Sequence, residues 1–117
     1  MEAAIKTPEE IEVKRAELAL SLKKKVYSFC FDTSEFGQVV GYLKEPDFFV
    51  KTQALDMSMR SLTQAGNIIL EHALLREESD SRILHEDAEE RYPEIKLGAI
   101  MEAQGLVKYF LNTLKKN

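Results

Sequence analysis

The residues of this chain best able to do chemistry lie between positions 76 and 92, where Glu77, Glu78, Asp80, Glu86, Asp87, Glu89 and Glu90 surround His85. Several carboxylate oxygens together could hold a hard cation. The spacing argues against it. A calcium loop of the EF-hand kind needs alternating acidic positions, a central glycine and a closing glutamate, and no glycine occurs from Glu77 to Glu90. A zinc site needs more histidine or cysteine than the segment supplies. Glu77 and Glu78 could serve as acid and base, but sequence neighbours need not face one pocket. The stretch therefore reads as a long, solvated acidic loop over 76–92, mobile or docking on a basic partner.

The other candidates are weaker still. Cys30 sits in the run Val26-Tyr27-Ser28-Phe29-Cys30-Phe31 with no base nearby, so it reads as a packed, reduced thiol and not as a nucleophile. His72 has no second ligand four residues away, and reads as a surface or half-buried side chain. No glycine-rich phosphate loop, Gly-x-Ser-x-Gly turn or His-Glu-x-x-His helix is present. The expectation is a non-enzyme with no catalytic residue, no metal and no cofactor.

Composition sets the frame for that reading. With 117 residues, 44% of them hydrophobic, the chain suits one domain spanning 1–117 with one core, its first residues 1–6 a flexible N-terminus. A net charge of -4 disfavours general binding to nucleic-acid phosphates. No apolar run reaches the roughly 20 residues of a membrane span, and the first ten residues lack a signal-peptide core. A reducing cytoplasm is the expected location, with no membrane or nucleic-acid partner.

The elements follow from local signals. Thr7-Pro8-Glu9-Glu10 is a capping box with proline at the first helical position, and it predicts a helix carrying Ile11, Leu18 and Leu22 on one side. Two β-forming runs, Val26 to Phe31 and Gln38 to Leu43, predict a hairpin. Two strands are marginal alone, so they must lean on helices, or complete a sheet across a dimer. Asp47 and Ser61 cap two further helices, the first with Phe48, Thr52, Leu55 and Met59 on one face and the second with Leu62, Ala65, Ile69 and Ala73. After Pro93 a last helix keeps Leu97, Ile100, Met101, Gln104, Val107, Leu111 and Leu114 in nearly heptad spacing, with Lys115 and Lys116 at its favourable end. Gly98 and Gly105 on its flank suggest close packing against a helix. The predicted fold is mainly α with a small β-hairpin, an α+β arrangement of about four helices packed on two strands.

The remaining signal is apolar. Phe48 and Phe49 are adjacent, hence about 100° apart on a helix, and one buried face cannot easily take both. With Met57 and Met59 they form the candidate partner-binding set, since exposed Phe and Met make adaptable contact surfaces.

The order of these features resembles the small tail assembly chaperones of long-tailed bacteriophages, in particular those of phages of Bacteroidetes. The resemblance covers most of the chain and rests on short motifs. These are the Thr7-Pro8-Glu9-Glu10-Ile11 opening, the turn Tyr42-Leu43-Lys44-Glu45-Pro46-Asp47, the segment Ala65-Gly66-Asn67-Ile68-Ile69-Leu70, and the acidic stretch before a C-terminal helix. Similar sequences tend to have arginine where this chain has Phe48, and a Cys-Trp-Gly-Gly stretch within 72–77. The resemblance implies a cytoplasmic helper that covers apolar segments of a tape-measure protein, or guides tail-tube partners, without making or breaking bonds. The alternative is a virion component of tail, neck or capsid, held as a homo-oligomer by its C-terminal helix.

Overall fold

The computed structural model describes residues 5–115, without the side chains of Leu114 and Lys115. The expected roles of those two side chains and of Lys116, and the flexibility expected of residues 1–4, lie outside the described residues. Lys6, expected to be flexible, is instead tied down: its N–H donates to Gln38 Oε1 at 3.0 Å, and Gln38 Nε2 donates to its carbonyl.

Helix α1 (Pro8–Leu22) starts on the predicted capping box, with Thr7 and Glu10 each accepting the other's backbone N–H. It ends at Lys23, whose left-handed φ of 56° turns the chain into strand β1 (Val26–Thr33). β2 (Gly37–Lys44) returns antiparallel, with Thr33 opposite Gly37 and Val26 opposite Lys44. Three residues join the strands. Thr33 Oγ1 accepts from Phe36 N–H, and Gly37 takes the positive φ of 75° that such a loop requires.

Strand alternation then decides the layers. Phe29, Val39 and Leu43, with Tyr27 and Phe31, face a large core shared with α2 (Phe48–Ser58), α3 (Leu62–Ala73) and α5 (Pro93–Lys115). Val26, Val40 and Tyr42 face the other way, onto Ile11, Leu18 and Ala19 of α1. The hairpin is thus a middle layer between one helix and three, which supplies the support two strands need. Asp47 and Ser61 cap α2 and α3 as predicted, and the two helices pack together.

The acidic stretch differs from its expected form. It contains a short helix, α4 (Ala88–Arg91), and its first half is strapped along the outer edge of β2. Leu74 bridges to Leu43, Leu75 N–H donates to Tyr42 O at 2.8 Å, and Asp80 N–H donates to Val40 O at 2.9 Å. Ser79 Oγ accepts from Tyr42 N–H, while Arg82 donates to the carbonyls of Phe36 and Gln38. Ile83 and Ala88 anchor the segment in the interior. The carbonyls of Gln38, Val40 and Tyr42 and the N–H of Tyr42, which a third strand would satisfy, are met by this strap.

Three readings of faces need correction. The buried face of α5 is Ile95, Ala99, Ile100, Ala103, Leu106, Val107 and Phe110, and the expected stripe members Leu97 and Met101 are exposed. In α2 the buried residue is Ala54, so Phe48 and Met59 lie on the outer side and not on a packed face. In α1 Ile11 is buried, but Leu22 is exposed. The glycines also act elsewhere than expected. Gly98 receives the ring of Phe31 from β1, Gly105 faces open space, and the close helix approach occurs at Gly66 of α3 against the α5 backbone.

Candidate functional site

Every residue expected to bind a partner except Met57 projects outward. Phe48 is 81% exposed, Phe49 68% and Met59 84%, whereas Met57 is half-buried against the core. Both phenylalanines are therefore exposed, where sequence spacing left room for one inside. The geometry explains it. Proline at position 46 is buried and Asp47 caps the helix, so α2 starts at Phe48 with its Ala54 side turned inward. A small residue at the contact lets α2 lie close to its neighbours, and no space remains for a phenylalanine beneath it.

A polar cluster fixes that orientation. The Tyr27 hydroxyl donates a short hydrogen bond to Glu45, whose other oxygen pairs with Lys51 Nζ at 2.7 Å. Lys51 also lies 4.5 Å above the centre of the Phe110 ring. Strand β1, the turn before α2, α2 itself and α5 are thereby joined at one point. Burial pushes the Tyr27 hydroxyl well above its usual range, and the Glu45 carboxylate adds to the effect. Burial alone would raise Glu45, but the Lys51 and Tyr27 hydrogen bonds and the charges of Lys51 and Lys25 outweigh it and hold the carboxyl low. Tyrosine stays protonated and glutamate stays ionised, so the pair keeps its protons in place and suits anchoring better than acid–base exchange.

The residues considered for chemistry are dispersed. Cys30 is exposed, which corrects its expected packing: its strand face looks toward α1, whose contacts are made with Val26, Val40 and Tyr42. Partial desolvation pushes its thiol pKa up; a Gln38 hydrogen bond opposes this, and Asp32 and Glu102 add to the rise. That makes it a poor nucleophile. His85 uses Nδ1 to accept from Asp87 N–H and lies edge-on to Tyr92, and His72 is exposed on α3. Among the described residues no group of three or more His, Cys, Asp or Glu is placed to hold a metal ion. Asp80 turns away from the other carboxylates to pair with Arg82 at 2.7 Å.

Sequence reasoning missed the outer side of α5. Leu97, Met101 and Tyr109 are exposed there, and Leu97 borders a groove of about 430 Å³ between α3 and α5 that also includes Thr63, Asn67 and Lys96. The signal was available in the alanines, since Ala99 and Ala103 mark the true inner face. Among the described residues no helix is long and apolar enough to cross a membrane. No family model, no curated protein and no solved structure matches the chain.

Proposed function

We propose that this chain is a non-enzymatic protein-binding factor, and specifically a phage tail assembly chaperone that covers apolar segments of a tape-measure protein until assembly displaces it. The observation that carries the reading is the simultaneous exposure of Phe48, Phe49 and Met59 on α2 and its C-cap. Adjacent large apolar side chains held outward on a well-anchored helix raise the free energy of the isolated chain in water, and a partner's apolar surface relieves it. Burying each phenylalanine would contribute about 1.5–3 kcal/mol. Reversible capture needs no more than a few such side chains, because the ordering of both partners offsets much of the gain. The exposed carboxylates of the acidic segment, among them Glu77, Glu86, Asp87, Glu89 and Glu90, suit a carrier that must keep an apolar client in solution.

The test is coexpression with a phage tape-measure protein. The intact chain should hold that protein soluble in a complex that can be purified, and should be missing from finished particles. The double substitution Phe48→Ser with Phe49→Ser should leave the thermal midpoint nearly unchanged and abolish the complex. Presence of the chain in purified particles at fixed stoichiometry would replace this reading with that of a virion component.

A further inference from the structure

The two edges of the hairpin are treated differently. On β2 the groups of Gln38, Val40 and Tyr42 point outward, and the strap meets all three carbonyls and the Tyr42 N–H. The register places these residues opposite Asp32, Cys30 and Ser28, so the N–H and C=O of those three residues of β1 point away from the hairpin, as do those of Val26, whose carbonyl accepts from Arg15 Nη1 at 3.2 Å. Among the described residues nothing hydrogen-bonds to the backbone groups of Ser28, Cys30 and Asp32. Cys30 and Asp32 are exposed and Ser28 is half-buried, so the edge is open. Unpaired edge groups of this kind are a template for another strand.

Charge selects the strand. The edge begins after the exposed Lys23, Lys24 and Lys25 and ends at the exposed Asp32, with Glu35 in the turn beyond. We propose that it pairs with the same edge of a second copy, antiparallel, about a two-fold axis at Cys30, to form a four-stranded sheet. This register engages Ser28, Cys30 and Asp32 of each strand and leaves Val26 to Arg15. It sets Ser28 opposite the partner's Asp32, Cys30 opposite the partner's Cys30, and the basic start of one edge beside the acidic end of the other. A groove lined by Arg15, Lys23, Lys24, Lys25, Tyr27 and Ser28 lies where the partner's acidic hairpin tip arrives. The strap over β2 closes the far edge of each copy, so addition stops at two. The dimer is independent of whatever α2 binds.

Light scattering coupled to size exclusion on the purified full chain tests it. The expected result is twice the chain mass. Cys30→Pro removes an N–H that the hairpin does not use, together with the exposed thiol, and should give a monomer whose circular dichroism still shows the fold. Lys25→Glu and Glu35→Lys should each weaken the dimer about tenfold, and the two combined should restore it. Copper-phenanthroline oxidation should link the wild-type copies through Cys30, since directly opposed hydrogen-bonded residues stand about 5.5 Å apart at Cα, within disulfide reach. A monomeric wild-type chain would overturn the proposal and leave the edge to a strand of another protein. So would a dimer that survives Cys30→Pro and forms no Cys30 link.

Discussion

Gly66 brings the backbone of α3 directly against that of α5, so that a Cβ added there would stand 2.7 Å from the carbonyl oxygen of Ile100 and 2.9 Å from Gln104 Cγ. The carbonyl belongs to a helix and cannot swing aside as a side-chain tip can. Ala65, Ala73, Ala99 and Ala103 are also fully buried, so small residues line part of the two inner helix faces beside Ile69 and Ile100.

Gly66→Ala should therefore destabilise the domain by about 1–3 kcal/mol, as overpacking of a tight core does. Gly105→Ala is the control, because nothing lies within 4 Å of its added Cβ. There the gain in helix propensity should stabilise by up to about 1 kcal/mol. Urea midpoints of the two variants, measured side by side, should move in opposite directions.

Tyr42 should behave unusually for a core tyrosine. It is fully buried in the small core under α1, and its hydroxyl has no hydrogen-bond partner among the described residues. Burial, with a smaller contribution from Cys30, pushes its pKa up and keeps it neutral. Removing an unsatisfied hydroxyl while keeping the ring relieves a desolvation penalty of about 1 kcal/mol. Tyr42→Phe should thus raise the thermal midpoint, and a lowered midpoint would show that the hydroxyl is satisfied in solution.

The ion pair in the strap should make the fold acid-sensitive. Burial alone would raise the Asp80 pKa, but hydrogen bonds from Arg82 and its charge hold it below the ordinary value. A depressed carboxyl stabilises the folded state at pH values above its unfolded pKa of about 3.9, and that contribution disappears as pH falls through the lower folded value. Glu45 acts with the same sign. Asp80→Asn should cost about 1–3 kcal/mol at neutral pH, since Arg82 loses a charged partner, and almost nothing well below pH 3.9. Denaturant midpoints at the two pH values would check the convergence.

Much of this fold was legible in the residues because its boundaries are set locally. Thr7 with Glu10, Asp47 and Ser61 cap helices through bonds spanning three residues. The faces of α2 and α5 were not legible from large apolar side chains. Ala54, Ala99 and Ala103 sit on the inner faces among larger buried residues, while Phe48, Met59, Leu97 and Met101 turn outward, so large side chains alone did not mark the core. The strap was hidden for a different reason. Its acidic character suggested solvent, while Ile83, Ser79 and Arg82, which tie it down, act across dozens of positions that periodicity cannot see. Of the candidate surface, the residue types were readable and their common exposure was not, since that depends on which side of α2 Ala54 turns inward.

The strap also sets a schedule. Ser79 lies 37 residues after the Tyr42 it bonds. A ribosome adding about 5–20 residues per second delivers it roughly 2–7 seconds after the hairpin has been made. During that interval β2 is as bare as β1, and the nascent sheet has two sticky margins instead of one. Premature pairing between neighbouring nascent chains is a hazard of that window, and it closes only when Arg82 and Ile83 have emerged.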